Sequence, residues 1–217
     1  MGTITRSFAN NITTSGVLLP ASLTNNSIAN VTAYNASVAT GGMVLISSQT
    51  ANNSASISFT TGIDSTYKEY QFWFVDIHPR TDNTSFLFNL STDSGTNYNV
   101  TKTTTEFYSY HDEADTATGL IYEASEDLAQ STAYQNLAGS TGNGADESCA
   151  GTLTLFNPSS TTYVKHFIAN LNNYNQGNYT VNFYVAGYGN TTSAINAINF
   201  KYSSGNFDGT ILMYGIV

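Results

Sequence analysis

The segment YQFWFVDI, residues 70–77, carries large apolar side chains on both sides of an extended chain. Successive residues of a β-strand point to opposite faces, so each face is read from every second residue. This reading places Phe72 and Phe74 on one face and Trp73, Val75 and Ile77 on the other. A strand that is apolar on both faces is typical of the middle of a structure. The segment therefore predicts a central strand, with one face in a core and the other covered or in contact with another subunit.

The rest of the chain after residue 42 repeats this period of two. The other segments with strand periodicity are MVLISSQ (43–49), SASISFT (54–60), SFLFNLS (85–91), GTLTLFNP (151–158), YVKHFIANL (163–171), YTVNFYVAGY (179–188), AINAINFKYS (194–203) and GTILMYGIV (209–217). In SFLFNLS, the apolar side chains of Phe86, Phe88 and Leu90 share one face. About nine to eleven short strands separated by turn residues indicate a two-sheet arrangement. We expect an all-β fold, an antiparallel, jelly-roll-like β-sandwich that forms a single domain over residues 42–217.

Composition supports the all-β prediction and limits the partners. Charged residues make up only 10% of the 217 residues, against a usual share of about 25%. Ser, Thr and Asn fill the gap, and these residues favour strands and turns over helix interiors. The net charge is −9, and an acidic surface repels phosphate backbones and anionic lipids. We expect no nucleic-acid partner and no membrane partner, and the sequence shows neither a signal-peptide pattern nor a run of about 20 apolar residues.

The region from about 106 to 148 differs from its surroundings. Seven acidic residues lie between positions 106 and 127, and AGSTGNGADES (138–148) reads as a glycine-rich loop. Ser125 is a suitable N-cap for one short helix in SEDLAQ (125–130), because acidic residues follow in the first turn. We predict an exposed acidic excursion from the sandwich. Long segments of this kind are often functional.

The residues that could support chemistry form no recognisable catalytic pattern. His78, His111 and His166 lie on separate segments without metal-ligand spacing. Cys149 is the single cysteine, and we interpret it as a small buried strand residue. In HDEADT (111–116), the carboxylates of Asp112, Glu113 and Asp115 could supply some calcium ligands, but the EF-hand pattern is absent and a solvated acidic loop is favoured. We predict no catalytic residue, no cofactor and no required metal. Abundant Tyr, Asn, Ser and Gly would suit a recognition surface, although Tyr also simply suits strands.

The first 41 residues have a different character. Residues 7–63 contain no Asp, Glu, Lys, Arg or His. We predict an extended N-terminal arm over residues 1–41, ending at TGG (40–42), because its lack of charge lowers the cost of burying it against a neighbour. Its polar side chains can form hydrogen bonds with the backbone groups of a neighbouring chain. The alternative is that the arm adds strands to its own sandwich or braids with the arms of other copies of this chain. The expected apolar anchors for attachment to that neighbour are Val17, Leu18, Leu19, Leu23, Ile28, Val31 and Tyr34.

Several longer segments resemble virion proteins of tailed bacteriophages, especially cyanophage-like ones. The resemblance rests on TTGIDSTYKEYQFWFVDIHPRTDNTSFLFNLSTDSGTNY (60–98), with its Gly-Ile-Asp-Ser-Thr-Tyr start, aromatic strand, His-Pro turn and Ser-Thr-Asp-x-Gly turn. DLAQSTAYQNLAG (127–139), GTLTLFNPSSTTYVKHF (151–167) and GTILMYGI (209–216) are similar to later parts of the same proteins. The pattern consists of strands and turns and contains no catalytic signature.

The resemblance implies a non-enzymatic structural protein of the virion. Such a protein would be made in the bacterial host cytoplasm and displayed on the virion surface, as a capsid decoration or cement protein or a short head fibre. Its partner would be another virion protein, most simply the major capsid protein. The alternative is a tail-fibre module that recognises a host surface glycan. A polysaccharide-degrading spike is disfavoured, because this chain is short and lacks a β-helix repeat.

We also predict a homotrimer. The prediction rests partly on the resemblance and partly on the doubly apolar strand, which offers more hydrophobic surface than one sandwich core uses. Closed cyclic symmetry is the usual way to cover such a patch. The expected subunit-interface residues are Tyr70, Phe72, Trp73 and Phe74.

Overall fold

The computed structural model describes residues 42–217, and over this range the chain forms twelve strands and no helix. All strand pairs are antiparallel. The strands are β1 Met43–Ser54, β2 Ile57–Phe59, β3 Glu69–Pro79, β4 Thr84–Ser91, β5 Lys102–Asp112, β6 Thr118–Tyr122, β7 Gln135–Thr141, β8 Cys149–Phe156, β9 Lys165–Asn175, β10 Tyr179–Gly189, β11 Ala197–Tyr202 and β12 Phe207–Ile216.

The strands form two layers of a sandwich that is nearly closed. The larger layer has the order β6-β5-β10-β9-β8-β3-β12-β1, and the smaller has the order β7-β4-β11-β2. A single residue pair, Thr141 with Asn175, joins β7 to β9 and connects the layers into one continuous sheet. The predicted all-β, antiparallel, sandwich-like fold is confirmed.

Aromatic side chains fill the space between the layers. Phe200 on β11 lies at the centre of the core and is fully buried. Its ring centroid is 5.1 Å from that of Phe74 and 5.4 Å from that of Phe72, both on the opposite layer. The pair with Phe74 is edge-to-face and the pair with Phe72 is tilted, and aromatic contacts of this kind add to the stability gained by burying the rings themselves. The predicted inward set of Phe86, Phe88 and Leu90 is confirmed, since all three are fully buried.

The prediction for β3 was wrong at its end. Phe72 and Phe74 are inward and Trp73 and Val75 outward, as expected, but Ile77 is fully buried rather than on the Trp73 face. The register with β8 shifts between Phe74 and Ile77, and Asp76 has a positive φ of 51°. A β-bulge inserts one residue into a strand and so moves the following side chains to the other face.

The predicted excursion at 106–148 was also wrong. Most of β5, all of β6 and all of β7 lie in this range, and β7 contributes the fully buried Leu137 and Ala138 to the core. Strand β5 was missed because its inward positions include Lys102, Thr104 and Glu106, which do not alternate in hydrophobicity. The helix predicted at Ser125 is a turn instead, so the described chain has twelve strands rather than nine to eleven.

Candidate functional site

Three of the four predicted interface residues lie in the core. Tyr70, Phe72 and Phe74 are at most 2% exposed, because they face the smaller layer. The prediction that these three side chains form a subunit interface is therefore wrong for the folded chain. Trp73 points the other way and is 38% exposed. It identifies the outer face of the larger layer as the surface available to a partner.

The outer face of the larger layer carries an aromatic row that crosses all eight strands. Residues in register across the sheet are directly opposite neighbours. The first row runs from β6 to β1 through Tyr122, Phe107, Tyr184, Asn170, Thr152, Trp73, Leu212 and Ser48. The second row runs from β5 to β1 through Thr105, Ala186, Ile168, Thr154, Gln71, Tyr214 and Leu45. We call these two rows the outer face.

The two rows of the outer face contain no ionisable side chain of Asp, Glu, Lys, Arg or His, and the nearest such residues on the same side of the layer are Glu69 and His166, one row further along. The outer face thus differs from the chain as a whole, which has a net charge of −9. Apolar side chains on it remain open to solvent, with Ile168 56% exposed and Tyr184 43% exposed. The polar side chains of Asn170, Thr152, Thr154 and Gln71 divide these apolar residues into two groups, one on β6, β5, β10 and β9 and one on β3, β12 and β1. Exposed apolar patches are common at interaction sites in soluble proteins.

Contacts within the outer face hold its aromatic rings in fixed orientations. The rings of Phe107 and Tyr184 are stacked, with centroids 4.9 Å apart and an interplanar angle of 9°. Trp73 lies 5.5 Å from Tyr214, and its Nε1 donates a hydrogen bond to Gln71 Oε1 at 2.7 Å. Rings that are already ordered lose little conformational entropy when a partner covers them.

A groove continues from one end of the outer face. It has a volume of about 520 Å³, and its walls include Phe156, His166 and Tyr188. The rings of His166 and Tyr188 have centroids 6.1 Å apart. A second cavity of about 490 Å³ shares Phe156 and His166 and extends to Tyr163, which is 70% exposed. We call these two cavities together the end groove.

A separate cavity of about 210 Å³ opens on the inward side of β5. Its lining includes Glu106, Tyr108, Asn136 and Phe183, together with Glu123 and Glu126 from the segment after β6. The rings of Tyr108 and Phe183 have centroids 5.4 Å apart. We call this the inner cavity. It combines aromatic walls with carboxyl and amide groups.

Glu106 is the most perturbed acid in the inner cavity. Its side chain is fully buried, and burial raises its pKa from 4.5 to about 8, with the negative charges of Glu126, Glu123 and Asp127 adding to the shift. One carboxyl oxygen, Oε2, accepts a hydrogen bond from Gln135 Nε2 at 3.2 Å. The other oxygen, Oε1, has no hydrogen-bond partner. At neutral pH, Glu106 is therefore held mainly as a neutral carboxylic acid.

Two buried lysines lie at the other end of the same inward surface. Lys102 on β5 and Lys165 on β9 are both opposite Gly189 of β10. Burial lowers the pKa of Lys102 to about 7. Its Nζ donates to Asn89 Oδ1 at 2.5 Å and to Val100 O at 2.9 Å. Lys165 Nζ donates to Tyr163 O at 2.6 Å. These contacts tie the lysines to their own chain.

The acidic turn between β5 and β6 binds its own backbone. Asp112 Oδ1 accepts hydrogen bonds from the amides of Thr116, at 2.8 Å, and Ala117, at 2.7 Å. Asp115 lies 3.1 Å from His111 Nε2 on the exposed side of the turn. Within residues 42–217, no three acidic, His or Cys side chains are grouped as a metal site. Asp112 therefore has a structural role in closing the turn.

The remaining residues of interest have local, structural contacts. His78 Nδ1 lies 2.6 Å from the carbonyl oxygen of Glu147, and His166 belongs to the end groove. Cys149 is 1% exposed, which confirms its predicted place as a buried strand residue. Burial raises the pKa of its thiol to about 12, so the thiol is unreactive at neutral pH.

Sequence reasoning missed Glu106 and Lys102. Both are inward-facing residues of β5, whereas their neighbours Thr103 and Phe107 face outward. The same face of the strand continues with Tyr108 and Tyr110. This alternation indicates a strand whose polar end is buried. The predicted attachment residues of the arm, from Val17 to Tyr34, lie outside the described residues.

Comparisons with known protein families, with characterised proteins and with solved structures gave no match. The function is therefore inferred from the fold, the outer face and the end groove. A search of residues 42–217 found no helix with the length and apolar character needed to cross a membrane.

Proposed function

We propose that this chain is a non-enzymatic structural protein that self-associates through its outer face and is displayed on the surface of a bacteriophage virion. The self-association is supported by the outer face. The virion setting is supported by the sequence segments that resemble phage virion proteins. On this proposal, the chain is made in the bacterial host cytoplasm and joins the particle as a capsid decoration, cement protein or short head fibre.

The absence of ionisable side chains from the outer face is the main observation in favour of self-association. Two copies of a chain with net charge −9 repel each other, and a contact surface without carboxylates avoids adding close like-charge pairs to that repulsion. The outer face is such a surface. Eight strands spaced about 4.8 Å apart make it about 34 Å wide, and its two rows extend about 13 Å along the strands, an area of roughly 450 Å². The adjoining part of the same layer would have to supply the remainder of the roughly 800 Å² per partner of a stable interface.

A homotrimer is the proposed assembly. A ring of three copies would cover the exposed rings of Trp73, Phe107 and Tyr184 while leaving acidic turns outside. Closed symmetry of this kind limits association to a defined number of copies. We further propose that the arm of residues 1–41 attaches the trimer to another virion protein, with the major capsid protein as the first candidate.

Light scattering on the purified full chain tests the self-association. We expect a mass of three chains at micromolar concentration for the native protein and of one chain for a Trp73→Ser, Phe107→Ser double variant. Tyr163→Ser is the matched control, because Tyr163 is an exposed aromatic residue outside the two rows. A native protein that stays monomeric would overturn the proposal, as would a double variant that retains the native mass.

A second candidate function is recognition of a host surface glycan by the end groove. Its aromatic walls at His166, Tyr188 and Tyr163 offer ring faces of the kind that stack on sugars. Binding assays with host surface polysaccharide separate the two functions. Tight binding that is lost in Tyr188→Ala and kept in the Trp73→Ser, Phe107→Ser variant would favour recognition. Release of oligosaccharides would contradict a non-enzymatic role.

A further inference from the structure

Strand β6 forms one edge of the larger layer, and among the described strands it pairs only with β5. At one end of this pair, the backbone N–H of Glu123 donates to the carbonyl oxygen of Glu106 at 3.0 Å, and a bond of the same kind closes the other end. Hydrogen-bonded and non-hydrogen-bonded pairs alternate along an antiparallel ladder. The N–H and C=O groups of Thr118, Leu120 and Tyr122 therefore point away from β5. We call these backbone groups and their side chains the β6 edge.

The β6 edge lacks the features that commonly keep an open edge from pairing, which are charged side chains, proline and β-bulges. The strand TGLIY (118–122) contains no charged residue and no proline, and its register with β5 has no shift. By contrast, β1 at the opposite edge of the layer has two shifts in its register with β12. Leu120 is 69% exposed and Tyr122 is 61% exposed. The β6 edge thus presents apolar side chains as well as outward backbone groups.

The backbone of β6 is suited to antiparallel pairing with a second copy of the same strand. A two-fold axis at Leu120 places Leu120 opposite Leu120 of the other copy, and Thr118 opposite Tyr122. These are the three residues whose backbone groups point outward, so this register satisfies all of those groups at once. A shift by one residue would place them opposite residues that are bonded to β5, and a shift by two would leave one of them outside the paired strand.

The side chains of β6 are compatible with this register. On the inward side of the layer, Ile121 of each copy lies opposite Gly119 of the other, in the kind of pair that brings two strands closest together. The Tyr110 ring lies over Gly119, with its Cε1 atom 2.8 Å from the position that a Cβ would occupy. Ile121, which is 38% exposed in the single chain, would therefore meet the Tyr110 ring of the second copy. On the outward side the two Leu120 side chains lie against each other, and the paired segment contains no acidic residue.

We propose that the β6 edge is a second self-association surface, through which two copies of this chain pair β6 with β6 about a two-fold axis at Leu120. The contact goes beyond the proposed trimer, because it joins one trimer to another, and it requires neither the trimer nor the virion in order to form. The five residues of β6 extend only about 17 Å, which makes the contact much smaller than a standard interface and therefore weak. On the proposed virion surface, where many copies lie side by side, several weak contacts act together.

Disulfide cross-linking of the full chain tests this register. Cys149 is 1% exposed, so a cysteine added at the β6 edge is the reactive one. Two cysteines at position 120 would have Cα atoms about 5.5 Å apart in the proposed pair, a separation that a disulfide spans. We expect Leu120→Cys to form a disulfide-linked dimer under mild oxidation at high micromolar concentration.

Thr118→Cys is the matched control for the cross-linking. In the proposed register its two copies lie four residues apart along the strands, about 13 Å, which a disulfide cannot bridge. We expect no linked dimer from Thr118→Cys. Failure of Leu120→Cys to cross-link would overturn the proposal, and so would equal cross-linking of the two variants, because chance collisions would then account for both.

Hydrogen exchange on the native chain gives a second measurement that needs no variant. The amides of Leu120 and Tyr122 point to the open edge in a single copy, whereas those of Gly119 and Ile121 point to β5. We expect exchange at Leu120 and Tyr122 to slow as the protein concentration rises, while exchange at Gly119 and Ile121 does not change. Fast exchange at Leu120 and Tyr122 at every concentration, the result expected if the edge accepts a strand from a different protein, would overturn the proposal. Slow exchange at every concentration would also overturn it, because another part of the same chain would then cover the edge.

Discussion

The two faces of the eight-stranded layer differ in where they place ionisable groups. The inward face buries Lys102, Lys165 and Glu106, while the two outer rows contain no Asp, Glu, Lys, Arg or His. Soluble proteins ordinarily show the reverse, with charge outside and apolar groups inside. The comparison separates a buried set of ionisable groups from an exposed pair of uncharged rows that is available to a partner.

The inward face itself contains two kinds of buried ionisable group. Lys102 has protein oxygens as acceptors, because Asn89 and Val100 receive its hydrogen bonds. Glu106 lies four residues along the same strand and keeps one oxygen without a partner. The lysine thus belongs to a completed structural contact, whereas the glutamate is kept mainly as a neutral acid by its burial and by the carboxylates around it.

The largest difference in the free energy of unfolding is expected between substitutions of two neighbouring residues on opposite faces of β3. Phe72→Ala should lower the free energy of unfolding by about 3–5 kcal/mol, because it leaves a cavity among buried rings. Trp73→Ala should lower it by about 1 kcal/mol or less when dilute protein is measured, because Trp73 is 38% exposed. Denaturant titration of both variants provides the measurement. Equal losses would show that the outer face is as important to folding as the core.

A smaller effect on the free energy of unfolding is expected from the titration of Glu106. Its pKa is raised from 4.5 in the unfolded chain to about 8 in the folded protein, so the folded state holds the proton more tightly. Its contribution to stability is fully present below about 4.5 and is lost as the pH rises through about 8. The slope is at most about 1.4 kcal/mol per pH unit.

Glu106→Gln should remove this slope, since the amide does not titrate. Denaturant titrations of the native chain and the variant between about pH 5 and about pH 7 give the comparison. Lys102 adds a contribution of the opposite sign, because its lowered pKa of about 7 makes stability rise with pH between about 7 and 10.5. A native slope that persists in Glu106→Gln would assign the pH dependence to other groups.

The smallest effect is expected at the surface ion pair between Arg80 and Asp208. Arg80 Nε lies 2.8 Å from Asp208 Oδ2, with the two side chains 48% and 30% exposed. Arg80→Ala should lower the free energy of unfolding by less than about 1 kcal/mol, because solvent screens the pair. The difference should shrink further in high salt. A loss as large as that of Phe72→Ala would contradict the assignment of stability to the inward face.

The sequence predicted the fold where hydrophobicity alternates and failed where it does not. The segment SFLFNLS correctly predicted that Phe86, Phe88 and Leu90 share the buried face of β4. Ile77 was placed on the wrong face because a bulge at Asp76 breaks the period of two. A bulge depends on pairing with other strands and leaves no fixed signature in a single sequence.

The candidate sites were less predictable than the fold. Trp73 was predicted to lie in a subunit interface and is exposed. The row that it shares with Phe107 and Tyr184 depends on strand order, which joins residues far apart in sequence. The sequence analysis interpreted Glu106 as one of seven acidic residues in an exposed excursion. Its burial arises from β7 and the β6–β7 segment packing over it, and single-sequence patterns do not report such long-range contacts.

The most direct test of self-association through the outer face uses the native chain and its single tryptophan. Trp73 is 38% exposed in the isolated chain, and a partner on the outer face would cover it. We predict that quenching of its fluorescence by acrylamide weakens, and its emission shifts to shorter wavelength, as the protein concentration rises from nanomolar to micromolar. Quenching that stays constant over this range, at the level of a half-exposed indole, would contradict the claim.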